Sequence, residues 1–393
     1  MKKKWVVVIP CGLEVIPTIE AAKKQGYSVA GVDQNPEAPA MKFCDLGIVS
    51  PLNDFEHILY VLQTNKIVPE CVIPIVSDKA VFPAYMLNLQ FGKTPINPNI
   101  LAFYSKSVLR NTLNTLGFDN PFYFVVDKEG DLKHVPLKSK LIIKPDDSSG
   151  SRGITILEKP NAKNLKEAYQ FALGFSANKK AVIEEYIPGE EYMVDCFVHE
   201  KEVKALLVSR KEKIQDKVSI LIQTVNEQEF PYAKLKKLIT KLSKALTYPG
   251  GPLHIEVKLQ DGKFYILDLA ARGGGFSVYN FYVKKCLGFD FVQATLDVFL
   301  QKKLSQKCGT FREGLIYFIT PEKAGTLNNL TTSFQVNPKK DVLINYYFTK
   351  GQSVSLDVTD GNRLAGIYCF AKNKQALEDL FLEVKSSFHQ TYA

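Results

Sequence analysis

The sequence has no apolar run approaching the roughly 20 residues needed to cross a bilayer, so no membrane-spanning helix is expected. It has no CxxC pair: seven cysteines lie scattered over 393 residues. An odd count without framework spacing argues against a disulfide scaffold or a thiolate metal site and for reduced, buried thiols in a cytoplasmic protein. There is no basic stripe interleaved with aromatics, so the net charge of +9 reads as a solvated surface that attracts anionic substrates rather than as a nucleic-acid footprint. The turn after the first apolar run, CGLEVIP, lacks GxGxxG, which removes the dinucleotide fingerprint and disfavours an NAD-linked oxidoreductase. Neither an internal repeat nor a low-complexity linker is present. The start, Met1-Lys2-Lys3-Lys4 before WVVVIP, has the outline of a signal peptide. Its apolar run ends at Pro10 without a small-residue cleavage site, and the expectation is a buried first strand.

At 393 residues the chain is long enough for two or three packed units. Over residues 1–95, continuous apolar runs alternate with helical periodicity: WVVVIP, a helix over 15–25 stopped by Gly26, YSVAGVD ending at Asp33, LGIVSP, a helix over 55–65, CVIPIV, and a helix after Asp78. This alternation predicts a Rossmann-like parallel sheet with crossover helices. A helix over 105–116 follows, with Ser105 as N-cap and Gly117 as stop. From 121 to 188 short strands alternate with turns and one helix at 165–174. Strands dominate from 188 to 268 apart from a lysine-rich helix at 232–246. A helix over 291–301 precedes a strand-rich final segment from about 306 that closes with a helix at 374–388. The predicted class is α/β, with α+β character in the central part.

Three stretches carry chemistry. LIIKP ends on Lys144 and Pro145, and DDSSGSRGI follows at once. Serines and glycines at 148–153 can turn backbone N–H groups toward a phosphate while the lysine neutralises it; a plain hairpin turn has the same composition. In VIEEYIPGEEYMVD, a strand running into Pro188-Gly189 would present backbone groups at Glu184–Ile187, and Glu191 could accept from two ribose hydroxyls; an acidic surface turn is the other reading. In HIEVKLQDGKFYILDLAARGGG, two alternating segments flank Asp261-Gly262, a hairpin signal. Register decides what it does. A two-residue turn pairs Glu256 with Leu267 and sends Asp268 to the other face. A three-residue loop with Gly262 left-handed, or an equivalent irregularity, puts both carboxylates on one face, where two carboxylates and phosphate oxygens could hold magnesium. Arg272, beside Gly273–Gly275, suits bidentate capture of a carboxylate or phosphate, or a structural salt bridge.

In this order and spacing the motifs resemble the ATP-grasp superfamily, closest to the branch shared by biotin carboxylase and amino-acid ligases, over nearly the whole chain. The resemblance implies a Rossmann-like domain at 1–95, a split ATP-grasp domain at 96–305 with a mobile part at about 121–187, and a small C-terminal lobe at 306–393. It implies ATP and one or two Mg2+ ions, or Mn2+. Lys106, Lys144 and the loop Ser148, Ser149, Gly150, Ser151, Arg152, Gly153 match the phosphate-binding positions. Glu184, Glu185, Tyr186 and Ile187 match the adenine hinge, and Glu191 the ribose carboxylate. Glu256 and Asp268 match the metal ligands. Arg272, with Lys144, matches the catalytic cations. The implied reaction is ligation of a small carboxylate to an amine through an acyl phosphate; a homodimer is common in the family. Three departures stand out: Asp268 where glutamate is usual, Ala270 where asparagine is frequent, and Phe276 where biotin carboxylase has a catalytic glutamate. The last turns the expectation from carboxylation to carboxylate–amine ligation. The first two leave a non-catalytic ATP-binding protein, or another ATP-grasp carboxylase or ligase, as the alternative. His254 is a base by proximity only, with a structural role the expectation.

Overall fold

The computed structural model describes residues 3–393 except 95–96, 149, 215–217, 337–340 and 357–358. The apolar run behind the basic start forms the strand Trp5–Ile9, fully buried from Val6 onward. It pairs in parallel with Ser28–Asp33 on one side and Pro69–Pro74 on the other, and Leu46–Val49 flanks Ser28–Asp33. Helices Ile16–Lys24, Phe55–Thr64 and Asp78–Gln90 alternate with these strands along the chain. A strand covered on both faces has no polar side, which is why the run is continuous rather than alternating. Asp33 is used inside this unit: its carboxylate accepts from the backbone N–H of Cys11 and of Asn35, each at 2.9 Å, and ties down the first turn.

Residues 121–187 carry a separate antiparallel sheet, in the order Tyr123–Val126, Ala181–Glu185, Leu141–Pro145, Thr155–Leu157. Helix Ala162–Leu173, started by an Asn161 capping box, packs its apolar stripe on it through Leu165, Ala168, Tyr169 and Ala172.

The largest sheet has eight strands in the order Lys263–Ala270, Gly250–Gln260, Glu191–His199, Glu202–Ile214, Val218–Thr224, Glu313–Ile319, Ala365–Ala371, Val342–Tyr346. Every neighbouring pair is antiparallel. The sheet therefore runs through position 306: the C-terminal segment extends the central sheet and adds a three-stranded satellite of Gln352–Val354, Gly325–Thr332 and Phe388–Tyr392. Two local expectations need correction. The closing helix stops at Ser386 and the chain ends in a strand, because Phe388–Tyr392 finds the edge of Gly325–Thr332. The chain after Gly275 is not an open loop. It winds into a wide turn of helix at Val278–Tyr282 and continues as Val283–Leu287, burying Val278, Tyr279, Tyr282 and Val283. Among the described residues no helix is long and apolar enough to cross a membrane.

Candidate functional site

The hairpin Gly250–Gln260/Lys263–Ala270 makes its turn as the sequence reads most simply. Asp261 and Gly262 both have positive φ, 49° and 72°, and Gln260 pairs with Lys263: a two-residue type I′ turn. Regular register continues to Val257 opposite Ile266. There it breaks. Glu256 pairs with Asp268, and Leu267 is the extra residue of a β-bulge. The bulge, not a longer turn, returns Asp268 to the face of Glu256. The two carboxylates stand directly opposite each other rather than diagonally, as a three-residue loop would have set them.

They line a cleft of about 480 Å³ walled by the eight-stranded sheet, the antiparallel sheet of residues 121–187 and the chain at Val76–Asp78 beyond the parallel sheet. Lys144 ends its strand in the wall and donates to Glu184 Oε2 at 2.7 Å. Glu184 is 2 % exposed and is also held by the fork of Arg110, Nε to Oε1 at 2.7 Å and Nη2 to Oε2 at 3.1 Å. Burial alone would raise the Glu184 carboxyl; Arg110 and Lys144 instead hold it down at about 2. Burial lowers the Lys144 ammonium more than Glu184 restores it, and Arg110 and Lys106 add to the fall. One carboxylate thus faces two cations.

Lys106, first residue of helix Lys106–Thr115, donates from Nζ to Ser148 O at 2.7 Å and so reaches the glycine-rich loop. That loop is the turn of a β-hairpin, with Ile143 opposite Thr155, and it also forms part of the cleft wall through Ser148, Gly150, Ser151 and Arg152. Gly150, Ser151 and Gly153 all have positive φ. Ser149 lies outside the described residues. Gly153 does not line the cleft. A Cβ there would come within 2.7 Å of Pro145 Cγ and 2.9 Å of Phe175, so this glycine allows the hairpin to fold against its own sheet.

The hinge follows Ala181–Glu185. Tyr186 donates its N–H to Lys140 O at 2.9 Å, and its ring lies between the ammonium groups of Lys140 and Lys258, at 3.8 and 4.2 Å. Ile187 O accepts from Lys258 Nζ at 2.7 Å. Glu185 and Ile187 line the cleft with it. Glu191 is also in the wall, with its carboxylate paired to Lys211 at 2.9 Å and Lys213 at 2.6 Å. Lys211 reaches Glu256 at 2.6 Å as well. Burial opposes the charge of Glu256, yet Lys211 and Lys213 keep its carboxyl far below the usual range.

Arg272 is engaged with the part of the chain that carries the parallel sheet. Its Nε and Nη2 donate to the two oxygens of Asp78 at 2.8 and 3.1 Å, and Nη1 donates to Gly273 O at 2.9 Å. Asp78 begins a helix just beyond the strand Pro69–Pro74, at the carboxyl end of the parallel sheet where ligands of such sheets gather. His254 sits opposite Asp195 in the sheet, with Nδ1 2.9 Å from Oδ1, and Asp195 is 1 % exposed. A buried carboxylate in that position fixes the orientation of the ring, which lines the cleft. Gly274 packs on this pair: a Cβ there would lie 2.9 Å from both polar atoms.

Several cleft residues escaped sequence reasoning, namely Asp78, Lys211, Lys213, Lys258, Asp360 and Arg363, and so did Arg110, which holds Glu184 from behind the wall. Some left a trace. Lys211 and Lys213 are two apart on one strand and share a face, and Arg110 is four after Lys106 on one helix. Asp78 left none, because its partner Arg272 lies 194 positions away; Arg363 stands three residues after its partner Asp360.

Residues 137–279 match the family model for an ATP-grasp domain. Among curated proteins the chain is similar to the formate-dependent phosphoribosylglycinamide formyltransferase of Prochlorococcus marinus, 28 % identical over 175 residues, or 42 % of this chain and 43 % of that one. The match thus spans less than half of that relative. The same enzyme of Pelobacter propionicus is 26 % identical over 174 residues, again 42 % of this chain and 43 % of that one. Solved structures share the fold end to end. The L-amino acid ligase from Bacillus licheniformis superposes with a TM-score of 0.81 at 20 % identity, covering 100 % of this chain and 99 % of that one. Phosphoribosylglycinamide synthetase from Anaerococcus prevotii gives 0.76 at 17 % identity, with both chains covered completely.

Proposed function

We propose that the protein is an ATP-dependent ligase that joins a small carboxylate to an amine through an acyl phosphate, releasing ADP and phosphate. The observation that carries this reading is the bulge at Leu267, which sets Glu256 directly across from Asp268 in the cleft that also holds Lys106, Lys144 and the glycine-rich loop. A regular hairpin would be the cheaper structure, and this irregularity has a use if both carboxylates face one ion.

The residues fit Mg2+ bound together with nucleotide. Among the described residues no group of three or more His, Cys, Asp or Glu could hold a metal, so the ion would need further oxygens from phosphates and water. A bound magnesium would screen the phosphate charge during transfer. The chain's own residues would do the rest. Lys106, Lys144 and the loop amides would position the phosphates, and the hinge would seat the adenine. Lys106 and Lys144, both in the wall of the cleft, would give a phosphate its electrostatic place. The loop would act as a lid that keeps water from the acyl phosphate. The amine then attacks the acyl carbon, a C–N bond forms, and phosphate leaves with the electron pair of the broken C–O bond.

Phe276 supports ligation over carboxylation. Where biotin carboxylase has its glutamate, this ring packs edge-on against Phe318 and Tyr347, with centroids 5.2 and 5.7 Å away. The test is ADP release with ATP, magnesium and pooled carboxylates and amines. The expected result is substrate-dependent ADP that Glu256→Ala abolishes. No substrate pair raising ADP above background, with Glu256→Ala equal to the parent, would end the proposal.

A further inference from the structure

We propose that Cys11 and Cys44 form a reversible disulfide, made by a peroxide and reopened by a dithiol, that fastens the turn after the first strand to the loop before Leu46–Val49. Gly31 brings the two together. It lies within the strand Ser28–Asp33, opposite Val8 on one side and Gly47 on the other. Glycine inside a strand weakens it and marks a place of close approach. Here two sulfurs approach: a Cβ on Gly31 would lie 2.5 Å from Cys11 Sγ and 2.4 Å from Cys44 Sγ. Both thiols occupy the space a side chain would fill, and Cys11 donates its S–H to the Cys44 sulfur.

The backbone holds each sulfur in place. The Cys11 N–H donates to Asp33 Oδ2 and its carbonyl accepts from the Ala40 N–H, each at 2.9 Å. The Cys44 N–H donates to Met41 O at 3.0 Å and its Sγ to Ala40 O at 3.4 Å. The next residue, Asp45, is bound to Val29 both ways, its N–H to Val29 O and its Oδ2 to the Val29 N–H, each at 2.8 Å. Sulfurs already in contact on backbones held this way close an S–S bond by side-chain rotation. The two cysteines differ in what can reach them: Cys11 is fully buried and Cys44 half-buried. The hydrogen bond from Cys11, helped by Lys23, lowers the Cys44 thiol against its burial, while the same contact and burial raise that of Cys11. Cys44 is therefore the attacking thiolate and Cys11 the resolving thiol. The Cys44 thiolate attacks one oxygen of hydrogen peroxide and the O–O bond breaks. The departing hydroxide takes up the proton that Cys44 gave up, leaving a sulfenic acid and one water. The Cys11 sulfur then attacks the Cys44 sulfur, the S–O bond breaks, and the hydroxyl leaves with the Cys11 proton as a second water. Two thiols lose two electrons and the peroxide gains them. The fastened turn runs on into Leu13–Val15, where Glu14 accepts from the Ser277 N–H beside Phe276 in the cleft wall.

The experiment needs neither ATP nor substrate, so its outcome is independent of the ligase reading. The intact protein carrying Cys308→Ser, which removes the exposed cysteine, is treated with hydrogen peroxide and alkylated, and its peptides are mapped by mass spectrometry. The expected result is a peptide holding Cys11 joined to one holding Cys44, with two thiols lost per chain and both regained after a dithiol. Cys11→Ser should stop at a Cys44 sulfenic acid that dimedone traps, and Cys44→Ser should keep Cys11 as a free thiol. Amide hydrogen exchange over residues 11–16 and 38–45 should slow roughly several-fold in the oxidised protein. Three results overturn the proposal. One is both thiols still alkylated at a peroxide dose that oxidises Cys44 in Cys11→Ser. Another is oxidation of Cys44 to sulfinic acid without a link to Cys11. The third is a link that leaves exchange in both segments unchanged.

Discussion

Arg110→Met is the perturbation with the largest calculable effect. Arg110 is 1 % exposed and serves two functions at once. Its fork binds Glu184, and it also donates from Nη1 to Ile266 O at 2.6 Å and from Nη2 to Leu267 O at 3.3 Å, the carbonyls at the bulge. The strand Lys263–Ala270 is the edge of its sheet, so Arg110 supplies these edge carbonyls with donors. Methionine fills much of the volume but removes every donor. Glu184 would retain Lys144 only, and a buried charge stripped of a main partner costs about 3–5 kcal/mol. For a cooperative unit of this size that corresponds to a fall in melting temperature on the order of 10 °C. Calorimetry measures it. The same variant should bind Mn2+ in the presence of ADP more weakly, because the bulge that sets Asp268 opposite Glu256 loses its support. Glu184→Gln in the Arg110→Met background should cost much less than the sum of the single changes, since both charges then leave together. Melting within about 2 °C of the parent would refute the reasoning, and so would strict additivity of the two changes.

Two further outcomes follow from the same geometry. Gly153→Ala should destabilise by roughly 1–3 kcal/mol, from the strain of positive φ and the collision with Pro145 and Phe175, and should raise KM for ATP. Gly150→Ala, which meets only the tip of Asp360, should cost less; equal melting temperatures for the two variants would contradict this. As for pH, the Glu184 carboxyl is held at about 2 in the fold, below its ordinary 4.5. Its contribution, on the order of 3 kcal/mol, is therefore complete above about pH 4.5 and is lost as pH falls toward 2. Denaturant titrations at stepped pH should show this loss in the parent, and Glu184→Gln should flatten it.

The sequence made the local patterns legible and the long-range ones not. The parallel sheet of the first 95 residues follows from continuous apolar runs between helical periods, and its strands stand where those runs are. The Asp261-Gly262 turn was readable because type I′ demands positive φ at both positions. The bulge at Leu267 was not, because nothing in FYILDL distinguishes a residue that pairs from one that slips. Lys144 and the glycine-rich loop could be found from composition at a strand end. The partner of Arg272 could not: Asp78 is 194 positions away, and only tertiary packing brings the fork to it. The same holds for Arg110, which lies on the helix Lys106–Thr115 yet reaches Glu184 74 positions on. The final strand was missed because its pairing edge, Gly325–Thr332, lies some 60 residues upstream.

The central claim is that the cleft forms an acyl phosphate. The most direct measurement uses a carboxylate labelled with oxygen-18 in both oxygens, drawn from the pairs that release ADP, followed by mass analysis of the phosphate produced. The account predicts one labelled oxygen in each phosphate released, because the C–O bond broken by the amine joins the carbonyl carbon to an oxygen that came from the carboxylate. Phosphate without label, formed at the rate of ADP, would mean that water rather than the carboxylate takes the phosphoryl group, and would contradict the account.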